Sequence, residues 1–443
     1  MSVNQTHPEY DKHKGEWMLV RDAYIGERKV KERGAFYLPK PDGFNAAKDN
    51  GAGMYNAYRT RAQFPDIFAP AIRGITGIVH GTEWTIELPQ ALESMREQAT
   101  PDGQTIETLA RRITAEILIS GRVGLLADAP FDGGEPTISV YDELSIINWD
   151  SGLFVLDESG YARNGFRWEW VESWRVLELN DGRYIQRVFT GPNNPGEELQ
   201  PSARGGQALD EIPFVIAGPK DLTPEIDKAP LIGIARAALA YYRLDADYRH
   251  QLFNSGQETL FIINGEAPEF IGAGVVVTMD VPEGVQADAK YVGPSGRTIE
   301  AHKTARMDEL ERAADAGAQM FKTSAGAGES GEARRLRQNS ELANIKTISR
   351  SSAAALEKAL RFAARIAGAN EDEVIVRPPA KMLEPVMEGQ EVLQFVQAWQ
   401  QGGFSFQTLF ENLQRGQVIP ADREPDEESR LLDAGEFPPE DEL

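Results

Sequence analysis

The feature of the sequence that most constrains its fold is a pair of long apolar seams that flank a short segment rich in β-branched residues, glycine and proline. Within residues 231–253 and again within 299–321, apolar and small side chains recur at alternating intervals of three and four. This spacing indicates helices that pack along one face. The seams are formed by Leu231, Ile234, Ala238, Tyr241, Asp245, Tyr248 and Leu252, then by Met307, Leu310, Ala314, Gly317 and Phe321. The chain is predicted to run out along one helix and return along another.

A third helical segment follows the second seam after a loop of small residues. The loop reads KTSAGAGESG over residues 322–331, and the pattern predicts a helix over 332–367. A short strand is predicted at 374–376, followed by helices at 389–401 and 406–415. The last segment, 421–443, contains ten acidic residues and two arginines and is predicted to be disordered.

Aromatic and β-branched residues predict strands between residues 138 and 189, after a helix at 105–120. The predicted strands are 146–149, 152–156, 166–179 and 184–189. Four tryptophans of this region are expected to pack in a core or an interface, because aromatic residues in alternating strands usually do so. They are Trp149, Trp168, Trp170 and Trp174. The mixture of segregated helices and strands predicts an α+β protein.

Motifs that would indicate an enzyme are incomplete or absent. The stretch from Gly326 to Gly331 has the spacing of a phosphate-binding loop, but Glu332 and Ala333 stand where such loops need lysine and a hydroxyl residue. A carboxylate there would repel phosphate. The sequence contains five histidines without ligand spacing, no cysteine and no Gly-x-Ser-x-Gly elbow. We expect no catalytic residue, no metal site and no cofactor, and therefore no enzyme.

The formal charge of −23 limits the ways in which the chain can meet DNA. Proteins that hold DNA tightly by its phosphates usually present a basic surface. Any DNA contact of this chain is therefore expected to be local, or its surface to favour sliding. The cluster Arg334, Arg335 and Arg337 fits a solvated face or an ion pair between subunits, and a phosphate contact stays an alternative. The sequence contains no run of about 18 apolar residues, so no membrane span is predicted.

Several segments resemble those of one family. They are IPFV at 212–215, PL at 230–231, YYRLD at 241–245, ETLFIING at 258–265, GAQMF at 317–321 and SGEA at 330–333, together with HPEY at 7–10 and GRVGLLADAP at 121–130. Together with the order helix, β tip, helix, glycine-containing loop and long helix, these segments resemble portal proteins of tailed bacteriophages. The resemblance covers roughly residues 7–380, and it lies more in the order of elements than in any single motif.

The resemblance implies a portal fold with a wing, a stem, a clip and a crown. Its expected parts are an α/β wing at 1–229, stem helices at 230–253 and 298–321, a β-containing clip at 254–297, a channel (tunnel) loop at 322–332, a long wing helix with a closing strand at 333–386, crown helices at 387–420 and the acidic tail at 421–443. It further implies a ring, commonly of about twelve subunits, at one capsid vertex of the virion. Double-stranded DNA would pass through this ring during packaging and ejection.

The resemblance also implies which residues face each partner. The expected DNA-facing residues are Lys303, Arg306, Lys322, Thr323, Ser324, Gly326 and Gly328. The expected docking residues for the large terminase, the packaging motor, and later for the tail adaptor are Glu258, Glu266, Glu269, Asp280, Glu283 and Lys290. Capsid and scaffold proteins complete the expected partners, and synthesis is expected in the host bacterial cytoplasm.

Two other functions are left open by the sequence. One is a nucleotide-binding enzyme that uses the Gly326–Gly331 loop, against which the carboxylate of Glu332 argues. The other is a virion collar or adaptor protein that never contacts the motor. The residue pattern separates this second alternative poorly from a portal, because fold-level likeness does not fix function.

Overall fold

The computed structural model describes most of the chain in two units. Its described residues are 2–44, 51–128, 134–256, 259–264, 282, 284, 286, 288–292, 298–318, 331–379, 389–415, 418–420, 423–427 and 430. The first unit comprises residues 1–79 and 84–378, and the second comprises residues 80–83 and 379–443. Helices and antiparallel strands coexist in the first unit, whereas α-helices dominate the described part of the second.

The helices of the first unit lie on both sides of its strands in the sequence. They are α1 (Pro8–Ile25), α2 (Glu27–Glu32), α3 (Gly51–Arg61), α4 (Phe68–Val79), α5 (Ile106–Ser120), α6 (Ile232–Ser255), α7 (Ile299–Ala318) and α8 (Gly331–Ala367). Helices α6, α7 and α8 begin within two residues of the predicted positions. The helix predicted to end at 321 is described as far as Ala318.

The strands of the described chain all pair in antiparallel fashion. They are β1 (Thr85–Glu87), β2 (Val123–Asp128), β3 (Thr137–Tyr141), β4 (Ile146–Asp150), β5 (Leu153–Asp157), β6 (Gly160–Asn164), β7 (Arg167–Val171), β8 (Trp174–Asn180), β9 (Arg183–Phe189), β10 (Pro195–Leu199), β11 (Phe214–Ala217), β12 (Thr259–Ile263), β13 (Asp288–Val292) and β14 (Ile375–Arg377).

These strands form two larger sheets and three hairpin-like pairs. The five-stranded sheet has the order β10-β9-β8-β5-β4, and the three-stranded sheet has the order β11-β2-β3. The separate pairs are β1–β14, β6–β7 and β12–β13. Helix α8 packs on β2, β11 and β14 and also on α5, which places the main core between the three-stranded sheet and these helices.

Helix α5 shows how the local sequence sets an element of this core. Thr105 caps its first turn, because its side chain accepts a hydrogen bond from the backbone N–H of Thr108. Its core face carries buried isoleucines and leucine at helical spacing, including Ile106, Leu109 and Ile113. Gly121 ends the helix with φ of +76°, and a Cβ there would lie 3.1 Å from the carbonyl oxygen of Asp227. Only glycine suits both constraints.

The strand predicted over 166–179 is wrong, because the chain forms two strands there, β7 and β8. They are separated at Glu172 and Ser173, where the backbone leaves the five-stranded sheet. Trp149 and Trp174 are buried in the core, as predicted, whereas Trp168 and Trp170 are not part of a core within the described chain, so for these two the predicted interface stays a prediction. The latter two lie on β7 and are 65% and 59% exposed.

The second unit contains α9 (Gly389–Gln400) and α10 (Phe406–Arg415). Its aromatic side chains meet between the helices, with the rings of Trp399 and Phe406 5.9 Å apart. Of the segment predicted as a disordered tail, residues 423–427 and 430 are described, and the Gln414 side chain donates a hydrogen bond to the backbone oxygen of Arg423. Within the described residues, no helix combines the length and the apolar character needed to cross a membrane.

Candidate functional site

Helices α6 and α7 pack against each other as a long antiparallel hairpin, which is the candidate functional element. The 24 residues of α6 give it a length of about 36 Å. At the base of the hairpin, a Cβ on Gly233 would lie 2.9 Å from the Cβ of Ala316, and one on Gly317 would lie 3.2 Å from Ile234. Small residues therefore bring the two backbones close together there.

A buried carboxylate joins the two helices at mid-length. Asp245 on α6 is fully buried and forms an ion pair with the Arg306 guanidinium on α7. It also accepts hydrogen bonds from Nε of Arg249 and from the backbone N–H of Gln63, each at 2.7 Å. These charge-assisted bonds satisfy a group that would be costly to bury alone.

Arg306 has a different environment from the one predicted for a DNA-facing residue. Its guanidinium lies 3.8 Å from the ring centre of Tyr248 and 5.5 Å from that of Tyr241, both on α6. The side chain is only 12% exposed. The charge of Arg306 is thus directed into the hairpin and neutralised by Asp245, so we assign it a role in holding α7 on α6.

Lys303 lies one turn from Arg306 and is open to solvent. Its side chain is 57% exposed, and its ammonium lies 3.7 Å from the carboxylate of Glu300. An exposed pair of this kind contributes little to stability, so the ammonium can exchange partners at low cost. Lys303 stays a predicted local phosphate contact.

Most of the surface of α7 is left uncovered by the described part of the chain. Of the side chains described on this helix, only that of Ala313 is buried. The exposed charged side chains of α7 are four acids and two bases, namely Glu300, Asp308, Glu311 and Asp315 with Lys303 and Arg312. The helix therefore presents a wide, mainly acidic face.

Helix α3 packs against α6 near the C-terminal end of α6. The Tyr58 hydroxyl donates a hydrogen bond of 2.6 Å to Asp247, and burial together with this bond raises the pKa of Tyr58. His250 lies among the rings of Phe44 and Tyr58. Burial, with the nearby Arg61 charge, lowers the pKa of His250, although Asp247 acts in the opposite direction.

The pair β12–β13 lies between α6 and α7 in the sequence and carries exposed apolar and charged side chains on one face. Phe261 is opposite Lys290, and Ile263 is opposite Asp288, so these four share a face. Phe261 and Ile263 are about half exposed. The Lys290 ammonium lies 3.6 Å from the Asp288 carboxylate, and both side chains are exposed.

The other predicted site residues lie outside the described residues. These are Lys322, Thr323, Ser324, Gly326 and Gly328 of the predicted channel loop, and Glu258, Glu266, Glu269, Asp280 and Glu283 of the predicted docking surface. The phosphate-loop alternative at 326–331 likewise lies largely outside them, apart from the first residue of α8. Among the described side chains, no cluster of three or more potential metal ligands occurs.

Sequence patterns did not indicate the burial of Arg122. Its guanidinium lies 4.0 Å from the ring centre of Trp149 and donates a hydrogen bond of 3.0 Å to the backbone oxygen of Pro224. Burial lowers the pKa of Arg122 to about 10. An arginine at the start of an apolar strand gives no signal that would distinguish this position from a solvent-exposed strand end.

One family model matches the chain, and it covers the candidate site. It is described as a domain of unknown function, DUF4055, and it matches residues 230–367. These bounds begin two residues before α6 and end at the last residue of α8. Among curated proteins, none matches the chain.

The solved structures to which the chain is similar include components of gene transfer agent (GTA) particles. A chain of "Neck of empty GTA particle computed with C6 symmetry" is 16% identical, with 77% of this chain and 87% of that chain covered and a TM-score of 0.41. A chain of "Virion of native gene transfer agent (GTA) particle" is 17% identical, with coverages of 85% and 92% and a TM-score of 0.37. One of "Neck of native GTA particle computed with C12 symmetry" is 16% identical, with coverages of 79% and 89% and a TM-score of 0.38. At these TM-scores the superpositions do not establish a shared fold.

Proposed function

We propose that the chain is the subunit of a closed ring, a portal, through which double-stranded DNA enters and leaves a capsid. The observation that carries the proposal is the α6–α7 hairpin with a β pair between its helices, followed by the long helix α8 that returns to the core. A two-helix rod of about 36 Å, held along α6 by α1 and α3 and exposed along most of α7, suits the stem around a channel.

The exposed face of α7 has the charge that a sliding surface needs. Its acidic excess, in a chain of net charge −23, repels phosphates and keeps DNA from binding tightly. Lys303 supplies a local positive charge that can touch a phosphate and release it. Because the Arg306 guanidinium is paired with Asp245, the part of the channel lined by α7 would have few fixed positive charges.

The β12–β13 pair suits a docking surface for the terminase and the tail adaptor. Phe261 and Ile263 present apolar area, and Asp288 and Lys290 provide charges beside it. Interfaces commonly combine an apolar centre with a polar rim. Glu258, Glu266, Glu269, Asp280 and Glu283 would extend this surface, and residues 322–332 would form the loop that lines the channel.

The proposal predicts that the purified full-length chain assembles into rings. Native mass spectrometry should give the mass of about twelve chains, and negative-stain images should show rings with a central hole. A stable monomer that also binds ATP or GTP would contradict the proposal and support the nucleotide-dependent alternative. Assembly into the same ring without nucleotide binding would support the proposed function.

A further inference from the structure

The β6–β7 hairpin is an arm that leaves the five-stranded sheet and stands free of the other residues that the structure describes. Strands β5 and β8 pair up to Asp157 and Trp174, and the ladder resumes beyond them as β6 and β7. Every residue of β6 and β7 is exposed or half-buried, on both faces. Five residues of β6 extend the arm by about 17 Å.

One face of this arm is aromatic and basic. Tyr161 is opposite Trp170 and Arg163 is opposite Trp168, so these four side chains share a face. Phe166, in the turn, is 98% exposed. Gly165 precedes it with φ of +64°, as the first position of a two-residue hairpin turn of type II′ requires.

An uncovered arm of this composition needs a partner surface. An isolated two-stranded hairpin is marginally stable in water at best. Tyr161, Phe166, Trp168 and Trp170 expose together about 500 Å² of mostly apolar ring surface, since a fully buried aromatic residue contributes 150–250 Å². A stable protein interface covers about 800 Å² on each partner, so the arm alone could supply more than half of one.

We propose that the β6–β7 arm docks onto a second copy of this chain, the neighbouring subunit of the ring, and this inference rests on the proposed function. Charge complementarity favours this occupant. The arm, residues 160–171, has two arginines and one glutamate and is net positive, whereas the chain as a whole has a charge of −23. Arg163 and Arg167 form no ion pair within the described part of the chain.

The same charges disfavour the other occupants. A nucleic acid would have to approach the arm past the acidic remainder of the chain, and an anionic membrane surface would meet the same repulsion. A second copy has the same net charge, so the attraction that favours it is local, between the arm and an acidic segment of the neighbouring copy. One arm for each subunit and one receiving surface for each subunit give a head-to-tail contact, which closes into a ring when the rotation fits.

The test uses the absence of cysteine from the chain, which makes an introduced thiol unique. Phe166→Cys is coupled to a maleimide photo-crosslinker in the full-length chain, and rings are assembled from equal amounts of 14N and 15N copies. Ser151→Cys, in an exposed turn at the opposite end of the same sheet, is the matched control. Crosslinked peptides are identified by mass spectrometry.

The inference predicts heavy–light crosslinks from position 166, at the frequency of random mixing, to one acidic segment of the neighbouring copy. Rings that form normally while position 166 crosslinks only within its own copy, or to nothing, would overturn the inference and leave the proposed function intact. Failure of the unaltered chain to form any ring would instead count against the proposed function.

A second measurement compares variants of the two faces of the arm. The double variant Trp168→Ala/Trp170→Ala should need a protein concentration at least about tenfold higher for half of the chains to assemble. The reason is that buried tryptophans dominate interface energies. Glu169→Gln, on the opposite face, should leave that concentration unchanged. Unchanged assembly of the double variant, or loss of DNA or vesicle binding with assembly intact, would refute docking on a second copy.

Discussion

Single buried charges determine how the α6–α7 hairpin is held. Asp245 occupies a seam position that the sequence pattern otherwise reserves for apolar residues, and it is fully buried there. Its partner Arg306 lies one residue before Met307, which the pattern assigned to the seam and which is exposed. Hydrophobic periodicity could not place Arg306 inside, because its burial depends on a carboxylate 61 residues away.

Asp245→Ala is expected to destabilise the chain strongly. It would leave the Arg306 guanidinium buried between tyrosine rings, without a carboxylate, and the N–H of Gln63 without its acceptor. Breaking a buried pair in this way costs about 3–5 kcal/mol. Urea unfolding followed by circular dichroism measures the loss.

Lys303→Met is the matched control for that substitution. It removes an exposed charge from the same helix and should change the free energy of unfolding by less than about 0.5 kcal/mol. Equal losses in the two variants would show that Asp245 does not anchor the hairpin.

His250 is expected to make stability depend on pH in the weakly acidic range. Because the pKa of His250 is lowered in the folded chain by burial and by Arg61, the unfolded chain binds the proton first as the pH falls. His250 therefore does not lower the free energy of unfolding above the usual histidine pKa of about 6.5. As the pH falls below that value, the free energy of unfolding decreases.

His250→Gln should reduce this decline, because glutamine does not titrate. Melting temperatures of both proteins between pH 7.5 and pH 5.5 would measure the difference, with Asp247 and Arg61 present in each. A decline of equal size in the variant would show that His250 does not cause it.

At the scale of elements, small residues and strand breaks decide how the pieces meet. The sequence predicted the two long helices, the β segment between them and the third helix, because each has a sustained periodic pattern. It missed the division of β7 from β8, and it left open whether Trp168 and Trp170 pack in a core or in an interface, since alternating aromatic residues look alike in a packed strand and in a free arm. In the middle of α7 the packing face differs by one position, with Ala313 buried and Ala314 exposed, whereas the predicted seam residue Gly317 does meet Ile234.

Gly233→Ala is expected to weaken the base of the hairpin. The new methyl group would lie 2.9 Å from the Cβ of Ala316, so α6 and α7 would have to separate. Overpacking of this kind costs about 1–3 kcal/mol. Thermal unfolding would measure the loss.

Gly15→Ala provides the comparison within a helix that has space. No atom lies within 4 Å of a Cβ at Gly15 in α1, so alanine should stabilise that helix by about 0.5–1 kcal/mol. Stabilisation by both substitutions would contradict the close approach at Gly233.

At the scale of the whole molecule, the proposed ring depends on surfaces that the described chain leaves uncovered. The chain has an acidic balance, an uncovered helix α7 and a net-positive aromatic arm, and a closed ring would use all three. The sequence could predict the order of elements that suggests a ring. It could not predict which surfaces remain uncovered, because exposure depends on contacts between segments that are distant in the sequence.

The position of α6–α7 in the assembled particle tests the proposed ring most directly. Electron cryomicroscopy of the purified full-length chain should show a closed ring of about twelve copies in which α7 borders the central passage and Lys303 faces it. The Asp245–Arg306 pair should lie within each subunit, away from the passage. A ring with the hairpin on its outer rim, or a chain that forms only closed dimers, would contradict a DNA conduit built on this hairpin.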